Sequence, residues 1–306
     1  MGNPVFAVPA LEKLAASDYQ IVAVVSNPPQ KMGRGKKIRE TAIAIKAKSI
    51  GLHVIQQQDL KSSHFKRGLE ELNADLFVVV AFRILPKSLI TIPKLGSINL
   101  HASLLPAYRG AAPIQWALIN GDEETGLSTF FIAPKVDTGA VICQDRLPIC
   151  PDDNYGTLSE RMGNLGSDLL VKTINLIKSG AASAIKQNDK QVTLAPKITK
   201  DMTIIDWCKP ARELHNLVRG LTPTPGTATI IKGKQIKIQE TRVDNDNNGS
   251  NYLPGEITAI EKSIVTVQTG KGFLLIHRVQ LEGRKTMDIG SFMNGFTLNI
   301  GDRFGN

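Results

Sequence analysis

Asn99 and His101 stand two residues apart in Ile98-Asn99-Leu100-His101-Ala102-Ser103-Leu104-Leu105-Pro106-Ala107-Tyr108-Arg109-Gly110. On a strand, that spacing sends an amide and an imidazole to the same side of the sheet. The strand ends here, and ligands of open α/β sheets bind outside the carboxyl ends of the strands. A polar side chain buried without a partner costs roughly 1–3 kcal/mol, so such a pair points to a pocket. Pro106 biases Leu105 toward an extended conformation, and Gly110 permits a turn that other residues resist. An isolated Asn-x-His also fits a hydrogen-bonded structural histidine beside a turn asparagine.

A second concentration of chemistry is basic. Lys31, Arg34, Lys36, Lys37 and Arg39 place five positive charges in nine residues with no acid. The run fits either a phosphate-bearing partner or a solvated loop. The whole chain carries +9, which concerns partners and says nothing of fold. Residues 203–306 carry only +3. His53, His64, His215 and His277 have no catalytic neighbours in sequence and read as surface or packed histidines. Cys143, Cys150 and Cys208 form neither a disulfide framework nor a zinc spacing, and read as buried thiols.

The elements that must position these groups follow from pattern. With 306 residues the chain has room for about two domains, and 42% hydrophobic content excludes an extended disordered protein. Gly 26 and Pro 16 exclude collagen-like material. No apolar run approaches the ~20 residues of a membrane span and no leader pattern is present, so a cytoplasmic location without a membrane is expected. Strands are predicted at 20–26, 54–55, 75–81 and 95–101, alternating with helices. That alternation predicts an α/β fold with a doubly wound, mostly parallel, Rossmann-like sheet. Two more strands, 126–134 and 139–147, are predicted around a tight turn at Val136–Gly139. One long amphipathic helix is predicted over 154–177. Residues 181–205 read as a polar linker before a helix near 212–219. Short strands at 227–231, 234–240, 255–260, 263–269 and 272–278 suggest a smaller C-terminal β-barrel. The polar stretch 243–251 reads as a surface loop, and the boundary is placed near 200.

The string Asn-x-His-x-Ser-Leu-Leu-Pro-x-Tyr-Arg-Gly resembles the signature of folate-dependent formyltransferases. Their acidic partner sits in a Val-Asp-Thr-Gly turn, supplied here by Asp137, 36 residues after His101. Further segments resemble the branch that acts on charged initiator tRNA. These are Met1–Ala7, Gly33-Arg34-Gly35-Lys36-Lys37, Gly110–Trp116, Ile205-Asp206-Trp207 and Arg219–Gly226.

That resemblance implies formyl transfer from 10-formyltetrahydrofolate to the α-amine of methionyl-initiator tRNA, with no metal. It assigns oxyanion stabilisation to Asn99, proton handling or positive charge to His101, and orientation of the ring to Asp137. Ser103, Leu104, Leu105 and Pro106 are the expected folate contacts, helped by main-chain groups near 81–86. Arg34, Lys36 and Lys37 are the expected tRNA contacts, with Arg34 entering the acceptor stem. It also implies a catalytic domain over 1–200, an OB-like tRNA-contacting domain over 201–306, and a monomer. Relatives carry an apolar strand just before the Met-Gly-x-Pro loop, so a first strand is expected upstream of Met1. Two other functions share parts of this pattern. A formyltransferase for a sugar nucleotide or purine precursor would keep Asn99, His101 and Asp137. A catalytically inert RNA-binding protein, left after loss of the first strand, would bind tRNA in a salt-sensitive way without formyl transfer.

Overall fold

Apolar runs too short for helices alternate with amphipathic segments, and each finds a partner in a computed structural model that describes residues 1–32, 37–244 and 251–305. Their contacts form two units. In chain order the first elements are α1 (Val8–Ala15), β1 (Val24–Ser26), β2 (Gln30–Met32), β3 (Lys37–Arg39), α2 (Ala42–Ser49), β4 (Val54–Gln56), α3 (Ser63–Glu71), β5 (Phe77–Val80), α4 (Lys87–Ile90) and β6 (Ser97–His101). They continue with β7 (Arg109–Gly110), α5 (Pro113–Asn120), β8 (Glu124–Phe131), β9 (Val141–Pro148), α6 (Tyr155–Lys178) and β10 (Leu194–Ala195).

The first unit comprises Met1–Pro113, Glu124–Pro148 and Ser159–Ala195. Strands β1 and β4 pair in parallel, as do β5 and β6, while β8 runs antiparallel to both β6 and β9. The β8–β9 connection is too short for a parallel crossover, which needs a dozen or more residues. Thr41 and Ser62 cap α2 and α3 through their hydroxyls. Phe65 and Leu69, one turn apart on α3, are buried with Val25, Phe77, Val79 and Leu89. Between β1 and β5 lie Met1 and Gly2. The Val80 amide donates to the Met1 carbonyl (2.9 Å) and the Gly2 amide to Val25 (3.1 Å). Of the run 20–26, only Val24–Ser26 forms a strand, because β4 offers three partners and no more. The basic stretch is flanked by an antiparallel pair, β2 and β3.

The second unit comprises Ile114–Glu123, Ile149–Leu158 and Pro196–Asn306. It adds α7 (Ala211–Leu221), β11 (Thr227–Ile231), β12 (Lys234–Asp244), β13 (Ile257–Glu261), β14 (Ile264–Gln268), β15 (Phe273–Leu281), β16 (Met287–Asp288) and α8 (Ile289–Met293). The strands form one antiparallel sheet in the order β11-β12-β15-β14-β13, with β16 on β15. Pairings among the described residues do not join β11 to β13. Alternate residues Ile236 and Ile238, Val265 and Val267, and Leu274 and Ile276 enter the core with Trp207, Leu214 and Phe304. The loop expected at 243–251 lies largely outside the described residues.

Two thiols correct the expectation of burial, since Cys150 and Cys208 are exposed and only Cys143 is half-buried. Both exposed cysteines lie in turns that use their main chain instead: the Cys150 amide donates to Asp153 Oδ2 and the Cys208 amide to Asp206 Oδ1.

His215 on α7 is mostly buried, with Nδ1 3.0 Å from the Thr241 hydroxyl. Burial, reinforced by Arg219, Arg212 and Arg242, lowers its pKa to about 4 from 6.5. The unfolded chain therefore takes up a proton before the folded chain does. Stability is fully present above pH 6.5 and declines as pH falls toward about 4. Denaturant titrations should show His215→Gln flattening that decline by roughly 2 kcal/mol, allowing for a partly exposed ring.

Candidate active site

The amide and the imidazole leave the same face of β6 because they are two residues apart on a strand flanked by both neighbours. Asn99 is registered between Val79 of β5 and Phe130 of β8, and His101 lies opposite Ser128. His101 is buried, with its ring edge-on to Phe130 at 6.5 Å. Its Nε2 is 2.9 Å from the Tyr108 carbonyl. Its Nδ1 is 3.8 Å from Asp137 Oδ2, an ion-pair separation longer than a hydrogen bond. One ring nitrogen is thus within hydrogen-bond distance of a carbonyl, and the other faces a carboxylate across a wider gap. Asn99 Oδ1 is buried with no hydrogen-bond partner. In a site that admits ligand, such an oxygen is held ready for an incoming donor.

Asp137 reaches this point from the β8–β9 connection. It adopts φ +53°, a left-handed conformation that aspartate tolerates better than most residues. Its Oδ2 accepts a hydrogen bond from the Gly110 amide at 2.9 Å. Two glycines make the approach possible. A Cβ at Gly110, whose φ is +133°, would overlap the Ala195 carbonyl, and one at Gly139 would overlap the Phe131 carbonyl.

The loop after β6 is braced from below. The Ser128 hydroxyl accepts from the Leu105 amide (2.9 Å) and donates to the Ser103 carbonyl (2.6 Å). Gln144 Nε2 donates to the Leu105 carbonyl (2.9 Å) and to the Ser128 hydroxyl (2.8 Å). Ser103 in turn donates to the Ala107 carbonyl at 2.6 Å. These bonds fix Ser103, Leu104, Leu105 and Pro106 into one shape. At the end of β5, Ala81 has φ +48° and the Arg83 guanidinium lies 5.3 Å from the Phe82 ring. Arg83 also donates to the carbonyls of Gln57 and Gln58.

Asn99 and His101 lie on one face of one strand, and the structure brings Asp137 to His101. Lys37 is exposed at the start of β3. Arg34 and Lys36 fall outside the described residues. One region escaped the sequence reading. The stretch read as linker is tied to the site, with β10 paired in parallel to β7 and buried Gln187 bonded to both Arg109 and the Asp137 turn. Its polar composition carries no periodicity that could have revealed this. Among the described residues, no group of three or more histidine, cysteine or acidic side chains is placed to hold a metal ion.

Comparison with known proteins shows the family. Residues 1–174 match the family model "Formyl transferase", and residues 197–297 match "Formyl transferase, C-terminal domain". The methionyl-tRNA formyltransferase of Agathobacter rectalis is 41% identical over 305 residues, covering 99% of this chain and 98% of that protein. That of Parabacteroides distasonis is also 41% identical, covering 97% and 94%. Among solved structures, an N-formyltransferase from Helicobacter canadensis in complex with folinic acid and dTDP-3-aminofucose has a TM-score of 0.66 at 23% identity. It covers 92% of this chain and 97% of its own, a likeness of fold.

Proposed function

Since this chain belongs to the methionyl-tRNA formyltransferase family, whose reaction moves a formyl group from 10-formyltetrahydrofolate to the α-amine of methionine on initiator tRNA, we propose that Asn99, His101 and Asp137 carry that transfer. The amine nitrogen bonds to the formyl carbon, the carbonyl oxygen gains negative charge, and the bond to folate nitrogen breaks as that nitrogen takes up the proton lost by the amine. The chain's task is to hold the amine in place and to stabilise the oxyanion. Asn99 Nδ2 donates to the oxyanion, and Oδ1, unpartnered in the structure, accepts from the amine. His101 supplies positive charge beside it, with the Tyr108 carbonyl on one ring nitrogen and the Asp137 carboxylate facing the other. Asp137 orients the ring.

The co-substrate fits the residues present. Ser103, Leu104, Leu105 and Pro106 form a braced wall beside Asn99, and main-chain groups at 81–86 complete the folate site. Arg34, Lys36 and Lys37 contact the acceptor stem, with Arg34 entering it at the initiator's unpaired end. Residues 1–200 act as the catalytic domain, while residues 201–306 meet the tRNA backbone through salt-sensitive contacts. The enzyme works as a cytoplasmic monomer. The observation that carries this reading is the meeting of His101 with Asp137, whose carboxylate would otherwise be an ordinary turn residue.

The test is a comparison of acceptors. With 10-formyltetrahydrofolate as donor, the purified chain should formylate methionine-charged initiator tRNA at least roughly 10³-fold faster, by kcat/KM, than an amino-sugar nucleotide, the size of discrimination that dedicated polar contacts achieve. Equal rates on the two acceptors would overturn the tRNA assignment.

A further inference from the structure

Gln187 lies on the polar stretch between α6 and β10, a region without a catalytic motif, yet it is only 8% exposed. Its Nε2 donates to the carbonyls of Asp137 and Gly139, each at 2.8 Å. Its Oε1 accepts from Arg109 Nε at 3.0 Å and Nη2 at 2.8 Å. A carboxamide has two donors and room for two acceptor bonds, so every hydrogen-bonding position is used. Arg109 is itself buried at 7% exposure, and its other partner is the exposed carboxylate of Asp189 at 3.0 Å. A buried guanidinium needs fixed acceptors, which makes Gln187 costly to move.

The same stretch also reaches the far side of the imidazole. Thr193 accepts through its hydroxyl from the Tyr108 amide (2.8 Å) and through its carbonyl from the Arg109 amide (2.9 Å). Tyr108 presents its carbonyl to His101 while holding φ +58°. Both acceptors facing His101 thus belong to non-glycine residues in left-handed conformations, which persist only where surrounding structure over-determines them. Gln187 touches neither the imidazole nor the carboxylate. It holds the main chain on which that carboxylate is mounted.

Building on the assignment of Asn99, His101 and Asp137 above, we propose that Gln187 is a positioning residue for formyl transfer. It locks the Asp137–Gly139 turn to Arg109, so that the Asp137 carboxylate stays on the Gly110 amide and beside His101. The link runs through the turn. Losing it displaces the carboxylate without removing a group that touches substrate.

Gln187→Glu isolates this role. The glutamate still pairs with Arg109 but presents oxygen to the Asp137 and Gly139 carbonyls, where two donors are needed. Gln187→Met removes both halves at similar volume, and serves if the glutamate variant does not fold. Thermal melts establish folding, and rates are measured in the parent and in an Asp137→Asn background. In the parent, kcat should fall roughly ten- to hundred-fold, the cost of an ångström-scale misplacement, with KM for tRNA and folate changed less than about two-fold. In the Asp137→Asn background the same substitution should cost less than about two-fold, because the group it positions is already gone. An equal fold-loss in both backgrounds shows a general structural effect and overturns the proposal alone. An Asp137→Asn enzyme as fast as the parent overturns the assignment of Asp137, and the proposal with it.

Discussion

Asn99→Ala should leave a folded protein that still binds folate but whose kcat for formyl transfer is lower by roughly 10²–10³, the usual loss on removing one oxyanion donor. The side chain sits on a central strand with β5 and β8 on either side, so its removal does not disturb the sheet pairing. Its Oδ1 is buried with no partner in the free protein. An amide oxygen left that way costs about 1–3 kcal/mol, and alanine removes the cost. The variant should therefore be at least as stable as the parent while being far slower. That opposite movement of stability and rate separates a group built for the reaction from one built for the fold. Thermal melts and initial rates on the same preparation measure both. Equal kcat with reduced stability would place Asn99 among the structural residues.

Asp137→Asn should cost roughly 10²–10³ in kcat as well, by a different route. The carboxylate accepts from the Gly110 amide and faces His101 Nδ1. Oδ2, the oxygen on the Gly110 amide, is also the one that faces Nδ1, so an asparagine that keeps this bond presents a neutral amide oxygen to the imidazole. The carboxylate's negative charge beside the ring is thereby removed, and the positive charge proposed to sit beside the oxyanion loses its support. KM for folate should change little, since the Ser103–Pro106 wall is braced separately by Ser128 and Gln144. A variant with raised KM and unchanged kcat would instead assign Asp137 to binding.

How much of this was legible in the sequence depends on the range of the interactions involved. The period of two placed Asn99 and His101 on one face of β6, and the 3.6 period gave α6, found at Tyr155–Lys178. Those are local rules, and they held. Asp137 was found by resemblance rather than by pattern, because an Asp-Thr-Gly turn carries no signal that it meets a histidine 36 residues earlier. Gln187 carries no signal in the sequence. Its partners are 48 to 78 residues away, and polar residues that bond to main chain leave no periodic trace. The run 20–26 has the composition of a strand and forms one only at Val24–Ser26, since β-branched composition states a preference and pairing decides it. The exposed thiols of Cys150 and Cys208 show the same limit. Burial of a small side chain is set by the turn that carries it.

The most direct measurement is single-turnover formylation of methionine-charged initiator tRNA by the purified chain with 10-formyltetrahydrofolate, run beside its His101→Ala variant. If an imidazole between the Tyr108 carbonyl and the Asp137 carboxylate supplies the charge for the transfer, the parent yields N-formylmethionyl-tRNA. The variant, with folate still bound, should be slower by roughly 10²–10⁴. Product formed at the same rate by both proteins would contradict the account.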